Sequence, residues 1–103
     1  MIRSTVPTTY TPPAEPPGPT TFTEAESPAA GELTAGFTAV RGATYDVYRK
    51  GPGDAAFVKV VNLSTASEYR ATGLPAGTHL LQAQAHNSGG YGPLSGEQSV
   101  VVG

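Results

Sequence analysis

The chain has no cysteine and no tryptophan, a single methionine, and only 14% charged residues. Without cysteine there is neither a disulfide framework nor a thiolate metal site, while the compartment stays open because cysteine-free domains work on both sides of a membrane. Six Lys plus Arg stand singly against eight Asp plus Glu, for a net charge of -2. That balance lacks the basic footprint of a nucleic-acid binder. No apolar run approaches the roughly 18 residues of a membrane-spanning helix. The opening MIRSTVPTTYTPP carries one Arg but no apolar stretch of the kind a secretory signal needs. Nucleic-acid binding and membrane insertion are therefore not expected.

Turn formers are plentiful, with 13 glycines and 10 prolines among 103 residues. This composition describes short strands joined by many turns and leaves little for long helices. A chain of this length makes one domain at most. With a globular part of about 80 residues it buries roughly 60% of its unfolded surface, enough for one thin core and little for an enclosed cleft.

Two unlike segments follow one another. Residues 1–20, MIRSTVPTTYTPPAEPPGPT, hold six prolines and five threonines. Each proline removes a backbone donor and biases its predecessor to extended geometry, so this segment reads as an extended arm. Ile2, Val6 and Tyr10 recur every four residues along it. A stiff arm with spaced apolar side chains loses little entropy on docking, which makes these three the expected partner-binding residues. The plainer alternative is a Pro/Thr linker.

Residues 21–103 alternate strands and turns. TFTEAE, ELTAGF, TYDVYRK, AFVKVV, EYRATGL, THLLQAQAH and QSVVV are the seven predicted strands, separated by turn-rich stretches. In TYDVYRK the period of two places Tyr45 and Val47 on one face and Asp46 and Tyr48 on the other. In THLLQAQAH it opposes His79, Leu81, Ala83 and Ala85 to Leu80, Gln82, Gln84 and His86. GPGD is the tightest turn, NLSTAS a break, and NSGGYGPLS a glycine-rich loop. This pattern predicts an all-β, seven-stranded, two-sheet antiparallel sandwich.

The blocks GELTAGFTAVRGATYDVYRKGPGDAAFVKVV and SEYRATGLPAGTHLLQAQAHNSGGYGPLSGEQSVVV, taken in that order, resemble a fibronectin type III domain of a divergent bacterial or phage kind. The resemblance covers about residues 20–103 and nothing in the arm. It implies an immunoglobulin-like sandwich in which GLPAGT carries the chain between the two sheets, with Leu74 as a core plug and Gly77 at an unusual backbone angle. It also implies that Phe37 stands where the family usually has a tryptophan, and His79 where it has a corner tyrosine. An imidazole can donate to a backbone carbonyl as a phenol does, with a shorter reach.

Chemistry is sparse. His79 and His86 are seven apart on one strand and so face opposite sides. The acids are spread along the chain with no ligand spacing. The glycine-rich loop lacks a lysine and opens no helix, and no GxSxG elbow is present. No catalytic residue, metal site or cofactor is expected. Asn62-Leu63-Ser64 fits a glycosylation sequon, a triplet common by chance. Tyr48 on a strand face and Tyr91 in the glycine-rich loop are the aromatics suited to binding. Arg41, Asn87 and Tyr91 are the candidate loop contacts, at one end of the sandwich.

The sequence thus leads to a non-catalytic structural or interaction module. The first expectation is a decoration or accessory subunit of a larger assembly, a phage particle or surface appendage, tethered through the arm to a protein partner. The alternative is an adhesion or carbohydrate-binding module of a secreted multi-domain protein, taking a glycan at the loop end. Localisation is left unknown, with a virion, extracellular or cell-surface setting favoured.

Overall fold

The computed structural model describes residues 15–103. They form eight strands: β1 (Phe22–Glu26), β2 (Leu33–Phe37), β3 (Thr44–Lys50), β4 (Val58–Ser64), β5 (Glu68–Ala71), β6 (Gly77–Asn87), β7 (Gly90–Leu94) and β8 (Gln98–Val102). Strands β1, β2 and β5 make a three-stranded antiparallel sheet in the order β1-β2-β5. The second sheet runs β4-β3-β6-β7, and β8 also pairs with β6.

Strands β7 and β8 lie along the same edge of β6, β7 against Gln84–Asn87 and β8 against Gly77–Leu81. They are two halves of the seventh ribbon, interrupted at Ser95. Ser95 bridges the break: its N–H donates to Ala83 O at 2.7 Å, and its Oγ accepts from Ala83 N–H at 2.8 Å. Most of the expected glycine-rich loop is therefore strand, because β6 offers backbone partners that a local reading cannot count. Only Ser88 and Gly89 form the turn.

The alternating faces settle as their period requires. Tyr45, Val47, Leu81, Ala83 and Ala85 enter the core, which they share with Leu33, Ala35, Phe37, Tyr69, Val100 and Val102. Phe37 sits edge-on between Phe22 and Tyr45, with ring centroids 5.7 and 5.0 Å away. Such edge-to-face pairs add about 0.5–1.5 kcal/mol each beyond burial, which helps a core that has no tryptophan. The Tyr45 hydroxyl accepts from Val40 N–H at 2.5 Å and donates to Val40 O at 3.1 Å, pinning the connection before β3.

The corner between β5 and β6 is built on His79. Its ring is fully buried, and Nε2 lies 2.9 Å from Pro75 O. A carbonyl can only accept, so Nε2 carries the proton and donates. Leu74 packs against the core beside it, and its N–H donates to Gly31 O. Gly77 has φ 132°, and a side chain there would press on Pro52 of the GPGD turn at 3.0 Å.

One strand runs past its expected end. NLSTAS reads as a break, yet β4 continues to Ser64 through a bulge in which Asn62 and Leu63 together oppose Asp46. Leu63 takes φ +50°, a left-handed geometry costing roughly 1–2 kcal/mol for a branched side chain. The Asp46 carboxylate replaces the lost ladder bond by accepting Leu63 N–H at 2.7 Å. Asn62 of the sequon is exposed on this bulge.

Candidate functional site

Three side chains converge on the outer face of the five-stranded sheet. Asp46 points outward from the middle of β3 and is nonetheless fully buried. Lys59 reaches over it from β4, with Nζ 3.0 Å from Oδ2, and Tyr91 approaches the pair from β7. The same Nζ stands 5.7 Å from the Tyr48 ring centroid and 5.9 Å from that of Tyr91. His86, paired with Tyr91 across β6 and β7, lies 4.6 Å from its ring. A buried carboxylate is thus covered by a cation between two aromatic rings.

The electrostatics hold each group in its ordinary form. Burial pushes the Asp46 carboxyl up, but Leu63 N–H, Lys59 and Tyr91 together outweigh it and leave Asp46 below the usual carboxylate value. Its hydrogen bond to Asp46 raises Lys59 above the usual ammonium value despite partial desolvation. The Tyr91 phenol is raised first by Asp46 and then by burial. A carboxylate kept charged, an ammonium kept charged and a phenol kept neutral make a clamp across the sheet, with none of them tuned toward proton transfer near pH 7.

Strand β7 places Tyr91 on this face and not at a loop tip. Its ring remains 43% exposed. Tyr48 lies on the same face, opposite Lys59. Asn87 stands at the end of β6, where both ends of its amide are engaged: Nδ2 donates to Glu15 O at 2.9 Å and Oδ1 accepts Gly89 N–H at 2.7 Å. Arg41 is exposed in the turn before β3, at the same pole of the sandwich as Asn87, since Thr44 of β3 is paired with His86. It has no ion partner among the described residues. Ile2, Val6 and Tyr10 lie outside the described residues.

The end of the arm rests on that pole. Residues 15–20 form no strand, yet Pro17 and Thr20 are buried. Thr20 Oγ1 donates to Thr38 O at 2.6 Å, and Pro17 lies directly over Gly92. Sequence reading missed both this seat and the clamp at Asp46. A charged residue in a strand looks solvent-facing, and only the register with β4 and β7 shows what covers it.

The opposite face also carries a pattern that the chain order conceals. On the three-stranded sheet, Glu24, Gly36 and Glu68 form one cross-strand row and Glu26, Thr34 and Arg70 the next. Except for Gly36, these residues and Glu32 line a groove of about 480 Å³. The Glu68–Arg70 contact, 3.7 Å and exposed, contributes little. No group of three or more metal-ligating side chains comes together among the described residues.

This architecture is shared with solved structures. A Fn3-like protein from Clostridium thermocellum superposes with a TM-score of 0.68, at 20% identity over 82% of this chain and 91% of that one. The FN1–FN3 domains of chicken CNTN1 give a TM-score of 0.66 at 19% identity, covering 85% of this chain and 34% of theirs. The FN5 domain of Drosophila Lar gives 0.65 at 19% identity, covering 84% of this chain and 96% of that domain. The chain is therefore a divergent domain of the fibronectin type III fold. No protein-family model matches its sequence, and no curated protein does.

Proposed function

We propose that this chain is a non-catalytic interaction module, a decoration or accessory subunit of a larger assembly such as a phage particle or surface appendage, which it grips through its N-terminal arm. The supporting observation is the seat of residues 15–20. Asn87, Thr38 and Gly92 hold the root of the arm on one pole of the sandwich, which gives residues 1–14 a fixed point of departure. Meanwhile Asp46, His79 and Asn87 are committed to bonds within the fold. The partner is a protein surface with shallow apolar pockets at the spacing of Ile2, Val6 and Tyr10. Replacing these three by serine leaves thermal unfolding of the sandwich unchanged and abolishes retention of the assembly protein. Retention at wild-type strength by the triple variant would refute the reading.

A second reading rests on the Tyr91 ring, whose exposure leaves it able to stack on a sugar at the pole near Arg41. It requires that Tyr91→Ala lose glycan binding that the intact protein shows.

A further inference from the structure

We propose that residues 15–20 form a strap seated on β7, and that its seating is coupled through that strand to Tyr91 on the outer face of the five-stranded sheet.

The seat is made for a strap. A Cβ at position 92 would lie 2.2 Å from Pro17 O and 3.2 Å from Gly18 O, so the backbone of the strap occupies the space any side chain would need. Gly92 has no positive φ, and its requirement for glycine therefore comes from this approach and not from its own backbone. The strap is fastened on both sides of that point, by Asn87 Nδ2 to Glu15 O and by Thr20 Oγ1 to Thr38 O. Pro16, Pro17 and Pro19 stiffen it, so little conformational entropy is lost on seating.

The seat itself is a weakly held strand. Strand β7 ends the sheet, carries Pro93, which has no N–H to donate, and meets β6 through a register shift between Gln84 and His86. Alternation along β7 puts Gly92 under the strap and Tyr91 on the opposite side. There the ring meets His86 and Lys59. Gln84 Nε2 ties the two sides together by donating to Gly92 O at 2.7 Å. Lifting the strap removes the packing that presses on β7 from one side, and Tyr91 then shifts against the clamp on the other.

The test perturbs the strap and its seat and reads both sides of β7, by NMR on the full chain. In the wild type the amides of Glu15, Gly18 and Thr20 are expected to have order parameters near the rigid value of about 0.85. Gly92→Ala drops them below about 0.6. Pro17→Gly and Thr20→Val, both remote in sequence from Tyr91, shift and broaden the ring signals of Tyr91 and His86 while leaving residues 51–54 at the far pole unchanged. Should Gly92→Ala fail to fold, the two strap substitutions carry the test. Strap amides that are mobile in the wild type would overturn the proposal, as would unmoved Tyr91 and His86 signals in the strap variants.

Discussion

Asp46→Ala lowers stability by about 2–3 kcal/mol at neutral pH, the range for hydrogen bonds made by a charged group with one exposed partner discounted. Alanine cannot accept Leu63 N–H, so the β4 bulge loses the bond that offsets its left-handed leucine. It also leaves Lys59 and Tyr91 closed over an empty position. The effect depends on pH with a definite sign. Because the Asp46 carboxyl is held below its ordinary value, its contribution is complete above the unfolded carboxylate value of 3.8 and is lost as pH falls through the lower folded value. Lys59 acts at the other end of the scale. Raised above 10.5, it contributes fully below that value and loses its contribution only as pH rises through the folded value. Denaturant unfolding of wild type and variant at pH 7 and again near pH 2 checks this. The gap between them narrows in acid, and a gap of equal size at both would show that the Asp46 charge does nothing.

His79→Ala costs about 2–4 kcal/mol, from the lost packing of a fully buried ring together with an unpaired Pro75 carbonyl. His79→Phe separates the two contributions. It keeps ring volume, removes the donor to Pro75 O, and also removes Nδ1, which is buried without a partner. The expected cost is therefore no more than about 1 kcal/mol. Equal losses in the two variants, measured by urea unfolding, would mean that the corner hydrogen bond and not packing carries the residue. The histidine thus does at the corner what the family resemblance implies for a tyrosine: it sends a ring donor back to a carbonyl four residues upstream.

Much of this architecture was legible because it follows from local period and turn chemistry. The alternation of Tyr45 and Val47 with Asp46 and Tyr48, and of Leu81, Ala83 and Ala85 with their neighbours, needs only the two-residue repeat of a strand. The corner at 73–77 follows from its Gly-Leu-Pro-Ala-Gly text and the family pattern. What stayed hidden depends on contacts between distant residues. NSGGYGPLS has loop composition, and it becomes strand β7 because β6 is long enough to template it. The run through Asn62 and Leu63 continues as strand because a carboxylate sixteen or more residues earlier supplies a bond acceptor. Asp46 itself shows no sequence signal for burial, since the lysine that covers it sits on the neighbouring strand. The arm shows the same limit from the other side. Its proline content marks an extended segment, but nothing in it marks the place where it meets the sandwich, and Gly92, the residue that makes the meeting fit, lies in a stretch with three other glycines, Gly89, Gly90 and Gly96.

Attachment through the arm is open to affinity capture from the source lysate or particles, with the full chain and with a form lacking residues 1–14 as baits. That deletion leaves Pro17 and Thr20 in place, so the sandwich keeps its seated root and any loss belongs to the arm. Retention of one abundant shell or appendage protein by the full chain alone is the predicted result. Equal retention by both baits would rule out attachment through the arm and move the function to the sandwich surface, where Tyr91 would be the first residue to replace.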